Sequence, residues 1–160
     1  MTFVPFTCFF SKGFLILWRG LVLNRRKQRE LIFLLLFEQL FTGYSLDELK
    51  EVKLQTEELG PKDFTEFVEK YFNGIIEKMP ELDALIEKFS LKWGKERLSR
   101  VALVTLRLAV YEMLYCEEIP TSVAINEAVE LSKKYGDEKE SAFINGILGG
   151  VSRRTESADE

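Results

Sequence analysis

The chain has 160 residues, 46% apolar and 30% charged, the balance of a globular protein that buries one core or two small lobes. It contains no histidine and only two cysteines, Cys8 and Cys116, with no CxxC pair, which removes the commonest general base and metal ligand and argues against a disulfide scaffold or a zinc site. With a net charge of −4 the surface as a whole does not attract polyanions, and neither a P-loop nor a dinucleotide-binding glycine motif is present, so the composition points to a binding protein rather than an enzyme.

The first segment, Met1–Leu23, carries 15 apolar residues and five of the thirteen phenylalanines, without helical or strand periodicity. A membrane span needs about 18–20 continuous apolar residues, and here Ser11-Lys12-Gly13 and Arg19-Gly20 interrupt the run. A secretory signal needs a basic start and a small-residue cleavage site; Met1-Thr2-Phe3-Val4-Pro5 and Trp18-Arg19 supply neither. The expectation is that residues 1–23 are a hydrophobic extension outside the mature fold, with translation starting near Val22 or Leu23. A peripheral hydrophobic tail and a membrane-targeting segment are the alternatives.

From Asn24 the chain reads as helix after helix. Asn24 is an N-cap for a strongly apolar helix that ends near Thr42-Gly43. Ser45 and Glu48 form a capping box that opens a short helix through the fifties. Gly60-Pro61 ends it and starts the next, with proline at the first helical position. Phe64, Phe67, Val68, Tyr71, Phe72, Ile75, Ile76 and Met79 then make one wide apolar stripe. Pro80 punctuates, and Leu82, Leu85, Ile86 and Phe89 give a separate short helix before a break at Trp93-Gly94. Leu98–Leu114 is apolar almost all round and is expected to be central. Pro120 restarts the chain for an amphipathic helix ending at Tyr135-Gly136. Asp137 and Glu140 cap the last helix, and the polar tail 153–160 is expected to fray. The sum is an all-α fold of about seven helices joined by short connections, with the folded domain at 24–152.

Arg25-Arg26-Lys27-Gln28-Arg29 places four cations in the opening turns of the first helix, where the macrodipole is already positive. Helices normally put acids there. A bound RNA backbone would relieve the repulsion, and arginine offers both a fork to phosphate and a plane for stacking. A solvated basic face is the competing reading of the same residues. Arg107, in an otherwise apolar helix, needs a partner, expected to be Glu127 or Glu130. Cys116 has no adjacent base and reads as an inert thiol. The Glu57-Glu58 and Glu117-Glu118 pairs read as solvated charge.

The C-terminal half carries a family resemblance. Leu106-Arg107-Leu108-Ala109-Val110-Tyr111-Glu112-Met113-Leu114 resembles the LRxAxYEL helix of the NusB antitermination factors. Ile119-Pro120 and Val123-Ala124-Ile125-Asn126-Glu127-Ala128-Val129-Glu130-Leu131 resemble the family's P-x-x-VAINEAVELAK, with Ser132 in place of the usual alanine and Lys133 following. Phe143-Ile144-Asn145-Gly146-Ile147-Leu148 resembles FVNGVL. The resemblance extends from Asn24 to Val151, and Met1–Val22 has no counterpart in it.

This resemblance implies two small helical bundles packed together. It implies binding of the boxA element of ribosomal RNA operons together with NusE, a small-subunit ribosomal protein in a second role. The pair then joins RNA polymerase and other Nus factors to suppress termination. It also implies RNA contacts at Arg25, Arg26, Lys27 and Arg29, a stacking aromatic at Phe143, and an RNA-facing cation at Lys139, where some relatives carry an acid. Phe143 fits the apolar core equally well. NusB-like domains also front some RNA cytosine methyltransferases; this sequence ends at Glu160 with no methyl-donor domain, so that activity is not expected. The protein is therefore expected to be non-enzymatic and cytoplasmic, without metal or cofactor. The alternatives are a helical protein–protein adaptor with little RNA affinity of its own and, from Met1–Leu23 alone, a membrane-tethered helical protein.

Overall fold

The computed structural model describes residues 24–92 and 98–158. The hydrophobic segment Met1–Leu23 and the break at Trp93-Gly94 lie outside the described residues. Six α-helices follow in order: α1 Arg25–Thr42, α2 Leu46–Gln55, α3 Glu66–Lys92, α4 Arg100–Tyr115, α5 Thr121–Tyr135 and α6 Glu138–Ala158, with a 3-10 turn at Pro61–Asp63 between α2 and α3. No strand occurs among the described residues.

The caps that delimit these helices are local. The Asn24 side chain accepts from the Lys27 N–H at 3.0 Å. Gly43 ends α1 at φ +69°, a conformation that costs a Cβ-bearing residue free energy, and its N–H returns to the Gln39 carbonyl. Ser45 and Glu48 close the expected capping box: the Ser45 N–H donates to Glu48 at 2.7 Å and the Glu48 N–H to Ser45 Oγ at 3.3 Å. Ser99 caps α4, and Asp137 accepts from the Glu140 N–H at 2.7 Å to cap α6.

Three boundaries differ from the sequence reading. Pro61 opens only the 3-10 turn, in which the Gly60 N–H donates to Asp63, and α3 begins at Glu66. Pro80 does not end a helix. It stands inside α3 on the solvent side, so the carbonyl it orphans can reach water. The buried stripe Val68, Tyr71, Phe72, Ile75, Leu82, Ile86, Phe89 runs across it without changing face, and packing holds the two expected helices as one. Finally, α6 continues to Ala158, and the Thr155 hydroxyl donates to the Ser152 carbonyl at 2.8 Å.

α4 is the hub. Val104, Leu106 and Val110 are fully buried, and α4 touches α1, α3, α5 and α6. α1–α3 pack on one another and α5 packs on α6, α3 also touches α6, and one continuous core joins them. Lys53 ties α2 to α1 by contacting both Glu38 and Glu58 at 2.7 Å, so Glu58 is a paired acid. Arg107 faces α3 and not α5. Its Nε and Nη2 each donate to Asp83 at 2.7 Å, so neither Glu127 nor Glu130 is its partner. Among the described residues no helix is long and apolar enough to cross a membrane.

Two helix crossings depend on absent side chains. A Cβ on Gly74 would lie 2.6 Å from Tyr111 Cζ, and one on Gly150 would lie 2.7 Å from Phe89 Cδ1. Tyr111 and Phe89 are both buried in the core, so either ring gives way only by disturbing its neighbours. Gly74→Ala is therefore expected to lower stability by about 1–3 kcal/mol despite alanine's better helix propensity. Urea denaturation followed by circular dichroism checks this; a stabilised variant would show that the α3–α4 crossing is loose.

Candidate nucleic-acid interface

The basic run occupies the first two turns of α1, and the fold separates its members by face. Arg25 is exposed, with its guanidinium carbon 4.2 Å from the centroid of the Phe67 ring on α3. Arg26 turns toward α5: its Nε donates to Glu127 at 3.2–3.3 Å and its Nη2 at 3.1 Å, while its side chain stays 59% exposed. Lys27 is half-buried. Gln28 is buried and accepts the Thr65 hydroxyl at 2.7 Å, fixing α1 against the start of α3.

Arg29 is placed differently. It is 5% exposed, and its Nε donates to Glu112 of α4 at 2.6 Å. Glu112 is 1% exposed. Burial pushes its carboxyl above the usual range, Arg29 pulls it back, and burial prevails. One turn on, Glu30 accepts from the Tyr135 hydroxyl and pairs with Lys134, and Tyr135 stacks on Phe33 with centroids 4.9 Å apart. Desolvation and the neighbouring Glu30 carboxylate push the Tyr135 hydroxyl far up.

These contacts bring α5 against α1 at two levels. Arg26 meets Glu127, and Glu30 meets the last turn of α5 about 12 Å further along. α5 then leads through Gly136-Asp137 into α6, where Lys139 is exposed between Glu138 and Glu140. α5 thus connects the seam that holds Arg26 to the start of α6, where Lys139 lies. Phe143 is 6% exposed, within the core cluster, and its ring is not displayed as a surface platform.

The partners of the run are not visible in the sequence. Arg26 and Glu127 are 101 residues apart, and Arg29 and Glu112 are 83 apart. The last-turn cations Lys133 and Lys134 suit the negative end of the α5 dipole, a local role that gives no sign of a longer reach, yet Lys134 extends to α1. Cys116 is buried, and desolvation raises its thiol, which keeps it protonated. No cluster of three or more metal-ligating side chains occurs among the described residues.

Fold and site together define a class: an all-helical bundle that displays a cationic helix end beside a second helix. Residues 26–153 match the model of the NusB family, and the chain belongs to that family. It is similar to the transcription antitermination protein NusB of Ruminiclostridium cellulolyticum, 41% identical over 131 residues that cover 82% of this chain and 90% of that protein. It is likewise 41% identical over 140 residues to the NusB of Clostridium botulinum strain Kyoto, covering 79% of this chain and 98% of that one. Among solved structures, NusB of T. maritima superposes with a TM-score of 0.69 at 36% identity, over 81% of this chain and 91% of that chain. A crystal structure of the antitermination factors NusB and NusE in complex with double-stranded RNA matches with a TM-score of 0.69 at 29% identity, over 81% of this chain and 96% of that chain.

Removing one member of a buried ion pair strands the other. Arg29→Ala is expected to cost about 3–5 kcal/mol. Arg26→Ala, at an exposed pair, is expected to leave the denaturation midpoint near that of the wild type. Equal midpoints for the two variants would contradict the different burial of the two arginines.

Proposed function

We propose that this protein is a transcription antitermination factor that binds boxA-type RNA of ribosomal RNA operons together with NusE, and that it joins the RNA polymerase antitermination complex as a non-enzymatic cytoplasmic component. Membership of the NusB family supports the reading, as do the relatives that carry the antitermination name and the related NusB–NusE–RNA structure. The observation that carries it is the exposure of Arg25 and Arg26 at the positive end of the α1 dipole, where a phosphate relieves a repulsion that Glu127 and Glu112 offset only in part.

Within this proposal Arg25, Arg26, Lys27 and Lys139 meet the RNA backbone. Arg29 contributes through its bond to Glu112, by holding the helix end in place, and Phe143 contributes by packing α6 onto the core. Two of the four cations of the run already face carboxylates, at Glu127 and Glu112, which lowers the charge free to attract RNA. This favours weak binding by the protein alone. It also gives the adaptor reading its one specific support.

A salt titration of binding to a boxA RNA, with and without NusE, tests the proposal. Tighter binding with the partner is expected. The Arg25→Ala/Arg26→Ala variant is expected to bind at least about 10-fold more weakly, with the slope of log affinity against log salt reduced by about 0.7 for each phosphate left without its cation. Lys139→Glu is expected to weaken binding without affecting folding. A folded sample that binds neither alone nor with NusE would contradict the proposal.

A further inference from the structure

The Arg26–Glu127 pair has a shape that an ordinary surface ion pair does not require. Glu127 reaches Arg26 through Nε and Nη2, one side of the guanidinium. An arginine has five N–H donors, and this arrangement leaves the Nη1 edge and one Nη2 proton unspent. The two partners are also unequally exposed: the Glu127 side chain is 15% exposed in the seam between α1 and α5, and that of Arg26 is 59% exposed. A carboxylate fixed in the seam therefore grips the inner side of a guanidinium whose outer edge faces solvent.

We infer that Glu127 is a positioning residue for RNA: by holding the inner side of Arg26, it presents the outer edge of the guanidinium to a phosphodiester of the RNA strand. The inference rests on the RNA-binding function proposed above. Two effects of Glu127 oppose each other. Its charge repels the phosphate, but from across the guanidinium, at a greater distance than the attraction acts and partly screened by salt. Its grip removes the side-chain freedom that an unheld arginine would lose on binding, so that ordering is complete before RNA arrives. A phosphate that docks on the outer edge does not have to displace the carboxylate. Glu127 is further kept in place by belonging to α5, which is clamped to α1 about two turns further along α5 through Glu30, Lys134 and Tyr135.

The test is a double-mutant cycle on the full chain, with NusE and a boxA RNA as the probe, using Glu127→Ala, Arg26→Ala and the combination. Glu127→Ala is expected to weaken binding about 3- to 10-fold in the wild-type background and to change nothing in the Arg26→Ala background. Glu127→Gln, which keeps one acceptor for Arg26, is expected to recover part of the loss. In the free protein, the Arg26 Nε–H is expected to give a slowly exchanging nitrogen–proton NMR signal that Glu127→Ala abolishes. Tighter binding by Glu127→Ala would overturn the inference and make the carboxylate a competitor of RNA. An equal loss in both backgrounds, or no change, would overturn it too. Should Glu127→Ala not fold, Glu127→Gln runs the same cycle. A wild-type protein that binds no RNA sinks the proposed function itself, whereas wild-type binding that Glu127→Ala leaves intact sinks only this inference.

Discussion

The buried bond between Arg29 and Glu112 decides where the cationic end of α1 sits. A helix that begins with four positive charges opposes its own dipole, and left to itself that turn would fray. Arg29 reaches into the core and fastens the turn to α4, a central helix that packs on α1, α3, α5 and α6. Burying two charges is expensive, and the pair recovers that cost only through a short, well-directed bond. Burial pushes the Glu112 carboxyl upward and Arg29 pulls it back down. The gain is geometric. With Arg29 fixed, Arg25 and Arg26 leave the same helix in set directions, one over Phe67 and one along Glu127.

The rest of the site follows from this fixing. α1 is registered against α5 at two levels, through Glu127 and through Lys134 and Tyr135, and α5 leads directly into α6. Gln28 and Thr65 register α1 against α3 on its other side. A helix end held on three sides presents its remaining cations with little freedom left to lose. A protein whose overall charge is −4 can in this way display exposed cations at one helix end without a basic surface.

Much of the fold was legible because its signals are local. Asn24, Gly43, Ser45 with Glu48, and Asp137 mark helix ends through bonds to residues three or four positions away, and the structure keeps each of them. The apolar residues spread almost all round α4 announced a central helix for the same reason. Pro80 was misleading because its local rule, which ends helices, was overruled by a stripe that keeps its face on both sides of it. The candidate site was legible as a set of residues but not as an arrangement. The run reads as four equivalent cations, and only partners 83 and 101 residues away turn Arg29 inward and Arg26 sideways. Arg107 shows the same limit: its need for an acid was visible, but the choice of Asp83 depends on how α3 packs on α4. Phe143 satisfied two patterns at once, and its burial was decided by the core.

The most direct test of Arg29 as a fastener of the helix end replaces the ion pair by an apolar one of similar volume, Arg29→Met with Glu112→Leu, and measures the affinity and salt slope for boxA RNA with NusE. If Arg29 acts through the fold, the double variant keeps wild-type stability or better, and both its affinity and its salt slope stay at wild-type values. A folded double variant with a shallower salt slope and weakened binding would show that Arg29 itself meets a phosphate, and that the buried pair opens when RNA binds.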